Sequence, residues 1–135
     1  MLVGLPLQAG QPVTLVREGR RLHSFISQGD VAAFAVATVG HSAAMNQSLP
    51  MGGPEAVCWR DVVATFERVM GREIPVNFVP PGGEVPGLPG PVAGPLAFTE
   101  AYDSVVDTSE LARIFGVELT TVESFARGML AGPRG

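Results

Sequence analysis

The stretch Asn46–Pro80, NQSLPMGGPEAVCWRDVVATFERVMGREIPVNFVP, constrains this chain more than any other part. It divides into a short apolar run, a Gly52-Gly53-Pro54 turn, a helix and a second apolar run. Trp59, Val62, Val63, Phe66, Val69 and Met70 recur at spacings of three and four, which predicts one apolar helical face over Trp59–Met70. Arg60, Glu67 and Arg68 fall largely on the other side, and Gly71 stands where a helix closes. Cys58 occupies the position of a Ser or Thr cap, three residues before Asp61, which weakens the capping box. Gln47–Met51 and Ile74–Val79 read as strands, and Pro75 puts the second at an edge or marks its beginning.

The flanks extend this α/β pattern. Residues 1–12 are apolar but hold two prolines and two glycines, which favours neither helix nor central strand. Val13–Val16 and Leu22–Ser27 read as a hairpin turning at Arg17–Arg21. Asp30 reads as the N-cap of a helix over Val31–Val39, with Gly40 just past its end. Nearly every residue in that helix is apolar, so it is expected to be buried on most sides. His41–Gln47 reads as a loop. Pro80–Pro95 is too rich in proline and glycine for a helix. It is either a disordered linker or an ordered lid over a pocket. Leu96–Tyr102 allows one or two helical turns, and capping boxes are expected at Asp107–Glu110 and Thr120–Glu123. The order β-β-α-β-α-β-loop-α-α gives an α/β class with mixed short strands and about four helices. We read one partial domain over 1–135, with its core at 13–79, a loop at 80–95 and C-terminal helices at 96–130.

Composition excludes several classes of function. A net charge of −4 and a pI near 5.0 argue against a nucleic-acid surface. No apolar run reaches the roughly 18–20 residues that span a bilayer. The start MLVGLPLQAG has neither the basic region nor the long apolar region of a signal peptide. A single cysteine permits no internal disulfide and suits a reducing compartment, so a cytoplasmic protein is expected. Only 16% of residues are charged against 46% hydrophobic, so some apolar surface expects a partner unless the chain buries it in itself.

No catalytic residue and no metal-ligand set stands out. Neither G-x-G-x-x-G nor G-x-x-x-x-G-K-[ST] occurs, so this chain carries no nucleotide cradle. Gly52-Gly53-Pro54 precedes a helix and reads as a strand-to-helix turn before it reads as an anion site. His23 and His41 lack metal-ligand spacing to each other or to Cys58. Ser24 and Ser27 lie near His23 in sequence, which is not triad geometry. Tyr102 has no Lys four residues on, so no Tyr-x-x-x-Lys pair exists here. Asp30, Asp61, Asp107 and Glu123 read as helix N-terminal residues.

Three segments, GRRLHSFISQGDVAAFAVA, the central stretch and FGVELTTVESFAR, together resemble the C-terminal half of NmrA-like proteins. These are atypical short-chain dehydrogenase/reductases. In them a strand leads into an Asp-Val-Ala helix, and a strand ending in Gly-Gly-Pro-Glu leads to a helix closing on Gly-Arg-x-Ile-x-Val. The resemblance covers about residues 13 to 130. It implies the substrate-side lobe of a Rossmann-type fold, whose dinucleotide-binding half lies outside this sequence. It further implies NAD(P) for the whole fold, none bound by this chain alone, and a small-molecule substrate. Met51, Gly52, Gly53, Phe98 and Tyr102 would face the pocket, with His23 and Phe25 lining it. Cys58 departs from the Ser or Thr usual at that cap. The implied function is part of an NAD(P)-dependent oxidoreductase, inactive without the missing half. The alternative is a non-catalytic dinucleotide-sensing or interaction module. Association with a second copy or with a nucleotide-binding half is expected.

Overall fold

The computed structural model describes residues 6–7, 9–87, 95 and 98–132. Its central element is a parallel pair, β1 (Val13–Val16) against β2 (Val76–Val79), with Val13 opposite Val76 and Val16 opposite Val79. The Val13 N–H donates to the Pro75 carbonyl at 3.0 Å and the Arg17 N–H to the Val79 carbonyl at 2.8 Å, extending the ladder at both ends. All four residues of β1 are buried, as in a parallel strand covered on both faces.

The expected hairpin between Val13–Val16 and Leu22–Ser27 does not form. Arg17 and Gly19 both take positive φ, and the turn they make is pulled onto the start of the second helix. There the Arg60 N–H donates to the Gly19 carbonyl at 3.2 Å, and its guanidinium to the Glu18 carbonyl at 2.6 Å. A Cβ at Gly19 would press on Leu15 and Trp59, so only glycine allows this approach. The chain therefore leaves β1 across the helix and does not fold back beside it.

Four α-helices complete the described residues: α1 (Gln28–Thr38), α2 (Trp59–Met70), α3 (Ser109–Phe115) and α4 (Val122–Leu130). Helix α2 forms where the periodicity places it, and Gly71 closes it in the left-handed conformation at φ 66°. Its buried residues Val62, Val63 and Phe66 join Val13, Leu15 and Val16 in the core. Helix α4 packs behind α2 through Ala126, which is fully buried. Val85, in the first half of the proline-glycine stretch, is buried in the same core; residues 88–94 lie outside the described residues. The helical turns expected at Leu96–Tyr102 are seen at residues 98–99, while 96–97 lie outside the described residues.

Caps explain most departures from expectation. Ser27, not Asp30, caps α1: its Oγ accepts the Asp30 N–H at 3.0 Å. The Asp107–Glu110 box does not close: Asp107 Oδ1 accepts the Ser109 N–H at 3.0 Å, α3 starts one residue later with Thr108 at its cap, and Thr108 Oγ1 is spent on the Gly52 N–H at 2.7 Å. Thr121 caps α4, but Glu123 turns outward to Arg127 and Arg68 instead of closing a box. At α2 the box forms despite the cysteine: Asp61 accepts the Cys58 N–H at 2.9 Å, and the Cys58 side chain accepts the Asp61 N–H in return.

Two further expectations fail for one physical reason. Of α1, only Asp30 and Phe34 are buried, and Val36 and Val39 are 76% and 82% exposed. Gln47–Met51 forms no strand, because no described segment pairs with it. Neither has a covering or pairing neighbour among the described residues. Among those residues, no helix is long and apolar enough to cross a membrane.

Candidate functional site around His23

Residues 22–25 run between two other segments that are too short to count as strands. The His23 N–H donates to the Val57 carbonyl at 2.9 Å, and the Val57 N–H returns to the His23 carbonyl at 3.0 Å. On the opposite edge, the Ser104 N–H donates to the Leu22 carbonyl at 2.7 Å and the Ser24 N–H to the Ser104 carbonyl at 3.0 Å. Ser24 Oγ accepts the Val106 N–H at 3.1 Å, and Asp103 Oδ1 accepts the Leu22 N–H at 3.0 Å. The His23 backbone is thereby held between two neighbouring segments.

The glycines lock onto the same strip. The Gly53 N–H donates to the Ser24 carbonyl at 3.0 Å, and a Cβ at Gly53 would overlap the Phe25 carbonyl. A Cβ at Gly52 would meet Ser24 and Val106. Both N–H groups are consumed by protein acceptors, so the Gly52-Gly53-Pro54 turn offers no donors to an anion. The turn reading of this motif is the one the structure realises.

The His23 side chain lies against Phe25, ring centroids 5.3 Å apart, and Phe25 against Trp59 at 4.4 Å. His23 is 5% exposed, and its Nε2 has no hydrogen-bond partner. Glu100, also 5% exposed, has its Oε1 equally without a partner. An unsatisfied buried polar atom costs about 1–3 kcal/mol and is rare enough to require an explanation. Imidazole nitrogen can donate or accept, and a carboxyl oxygen accepts or, when protonated, donates. Such atoms are suited to a hydrogen-bonding group from outside this chain.

Of the residues implicated by sequence, the structure brings His23, Phe25, Gly52 and Gly53 together, with Met51 half-buried next to the glycines. Phe98 and Tyr102 stand in solvent, 69% and 56% exposed, and are not packed on His23. Their turn carries Glu100 inward, a residue the sequence did not single out. An acid between Thr99 and Ala101 gives no signal of burial.

The remaining titratable groups have structural surroundings. Burial pushes the Cys58 thiol up from its ordinary value, which keeps it protonated and poorly nucleophilic. Hydrogen bonds from the Ser109 hydroxyl and N–H lower Asp107. Bonds from Arg127, then Arg68, lower Glu123. Among the described residues no group of His, Cys, Asp or Glu is placed to hold a metal. The glycine pair before α2 has spent its N–H groups on Ser24 and Thr108 and leaves none for a phosphate.

No family model and no curated protein matches this chain. Solved structures do match its fold. The NADPH-dependent quinone oxidoreductase of Escherichia coli superposes with a TM-score of 0.72 at 18% identity, over 93% of this chain and 48% of that one. The UDP-glucuronic acid 4-epimerase of Bacillus cereus, in complex with NAD, gives 0.65 at 14% identity, over 93% and 35%. An isoflavone reductase gives 0.64 at 15% identity, over 87% and 43%. The fold is thus α/β and is that of one part of Rossmann-type NAD(P)-dependent epimerases and reductases. This chain spans less than half the length of each of these structures.

Proposed function

We propose that this chain is the substrate-side lobe of an NAD(P)-dependent, NmrA-like oxidoreductase, inactive without a dinucleotide-binding half. The observation that carries the reading is the paired coverage. Nearly the whole chain matches less than half of a quinone oxidoreductase that uses NADPH. The role of the lobe would be to hold and orient a small organic substrate, with His23, Phe25, Met51, Gly52 and Gly53 forming its wall. Phe98 and Tyr102 would reach that wall only by movement of their turn. Hydride chemistry belongs to the cofactor, which the other half would bind.

A second reading is a non-catalytic dinucleotide-sensing or interaction module. It is favoured by the amino-acid inventory: all nine basic residues are arginine, so this chain cannot itself supply a Tyr–Lys pair. Titration of the purified 135-residue protein with NADPH and NAD+ is expected to give no binding. Saturable binding would overturn the assignment of the nucleotide site to another half. Co-expression with a dinucleotide-binding half, followed by an NADPH-oxidation assay over quinones and other carbonyl compounds, separates the two readings. Turnover supports the oxidoreductase; NADPH binding without turnover supports the module.

A further inference from the structure

The turn at residues 98–102 carries its side chains in an inverted order of burial. Phe98 and Tyr102 are 69% and 56% exposed, while Glu100 between them is 5% exposed. Acids are almost never fully buried unless paired, and aromatic rings are ordinarily the buried ones. Glu100 Oε1 has no hydrogen-bond partner among the described residues, so that oxygen has left water with no bond in exchange. The chain just beyond the turn is clamped. Asp103 Oδ1 accepts the Leu22 N–H at 3.0 Å, the Ser104 N–H donates to the Leu22 carbonyl at 2.7 Å, and Ser104 is bridged to His23. Tyr102 therefore lies one residue before a fixed point and two before the backbone partner of His23. His23 holds the second orphan, a buried Nε2 with no partner.

We infer that the 98–102 turn is a two-position strap, seen here open, that pivots at Asp103 and closes Tyr102 onto His23. One movement then answers both orphans. Glu100 leaves the interior and regains water, while Phe98 and Tyr102 lose it. The Tyr102 hydroxyl donates to His23 Nε2, which accepts in the tautomer protonated at Nδ1. The Tyr102 ring extends the run of rings formed by His23, Phe25 and Trp59. A partner for Nε2 thus exists within the chain as well as outside it. Tyr102 is the only tyrosine, so no other phenol can take this part. The strap covers a substrate only if the wall at His23 and Phe25 binds one, and on that point the inference rests on the proposed function.

The sole tyrosine gives a one-residue test. In the 135-residue protein labelled with 3-fluorotyrosine, the fluorine signal comes from position 102 alone. It is expected to show relaxation dispersion on the microsecond-to-millisecond scale, the mark of exchange between two positions. Glu100→Leu, an apolar side chain with no orphan to relieve, should abolish the dispersion and leave the signal solvent-exposed. Glu100→Lys would strand an unpaired ammonium inside and should raise the closed-to-open ratio by about tenfold or more. The signal then moves, and its shift between H2O and D2O shrinks. Adding His23→Phe to Glu100→Lys should return the ratio toward that of the native protein. A signal that stays exposed in a folded Glu100→Lys protein overturns the strap. Where that variant does not fold, the native protein and Glu100→Leu decide alone: dispersion in both, or in neither, overturns the strap. Closure that His23→Phe leaves unchanged overturns the pairing of Tyr102 with His23. No arm uses cofactor or substrate, so the strap can fail while the oxidoreductase reading stands, and the reverse.

Discussion

The Asp30 carboxylate receives two hydrogen bonds from Thr120, the N–H at 2.8 Å on one oxygen and the hydroxyl at 2.7 Å on the other. Asp30 lies in the first turn of α1, and Thr120 precedes the cap of α4, so this pair ties the exposed helix to the packed C-terminal end. Asp30 is buried, and both oxygens are satisfied.

Asp30→Ala leaves two half-buried donors without an acceptor and is expected to cost about 1.5–3 kcal/mol, the range for losing bonds to a charged group. Urea unfolding measures it. Thr120→Val removes only the hydroxyl, and an equal loss from that variant would show that the backbone bond contributes nothing.

Gly53 and Gly128 make opposite predictions from the same substitution. Gly53→Ala drives a Cβ into the Phe25 carbonyl, which is backbone and cannot rotate away, so a loss of about 3 kcal/mol or more is expected. Gly128→Ala sits within α4 with nothing within 4 Å and should gain about 0.5–1 kcal/mol from helix propensity. Thermal melts of both variants decide it; a stable Gly53→Ala protein would refute the close approach.

His23→Phe keeps the backbone bonds to Val57 and the ring contact to Phe25 while removing the orphaned Nε2. The expected change in stability is less than about 1 kcal/mol in either direction, because an unsatisfied polar atom gives no support to the fold. In the complex with a dinucleotide-binding half, the same variant should raise KM for substrate. A large fall in Tm would mean that His23 is a structural residue.

Glu123 gives a pH dependence of defined sign. Arg127, at 2.7 Å, and Arg68, at 3.0 Å, hold its folded-state pKa below the ordinary glutamate value. The contribution is therefore complete above the unfolded pKa, about 4.3, and is lost as pH falls through the depressed folded value. Melts of the native protein and of Glu123→Gln should differ slightly at pH 7, converge as pH falls below the depressed folded value, and converge in molar salt, since the pair is solvent-exposed. A difference that grows on acidification would reverse the assignment.

What the sequence alone determined is local. Helix α2 was legible to the residue because its apolar face repeats at helical spacing and Gly71 marks its end. The end of α3 was legible from Gly116. The Thr120–Glu123 box put the start of α4 one residue early, because two adjacent threonines offer the same cap and Thr121 takes it. These signals act within a turn or two of chain. The glycine turn was also readable as a turn, though not the reason for it, which is the Phe25 carbonyl lying against Gly53.

Only the tertiary structure decided the rest. A four-residue run such as VTLV carries no information about which strand it meets, so β1 could be read as half of a hairpin when it pairs in parallel with β2. Thr108 was free in sequence to cap its own helix, but a buried Gly52 N–H competes for the same oxygen and wins, since a buried orphan costs more than an exposed cap. Glu100 became a site candidate only once its turn was seen to carry it inside. For α1 and residues 47–51, sequence and structure conflict in a useful way. Their composition asks for burial and pairing, and no neighbour among the described residues supplies either.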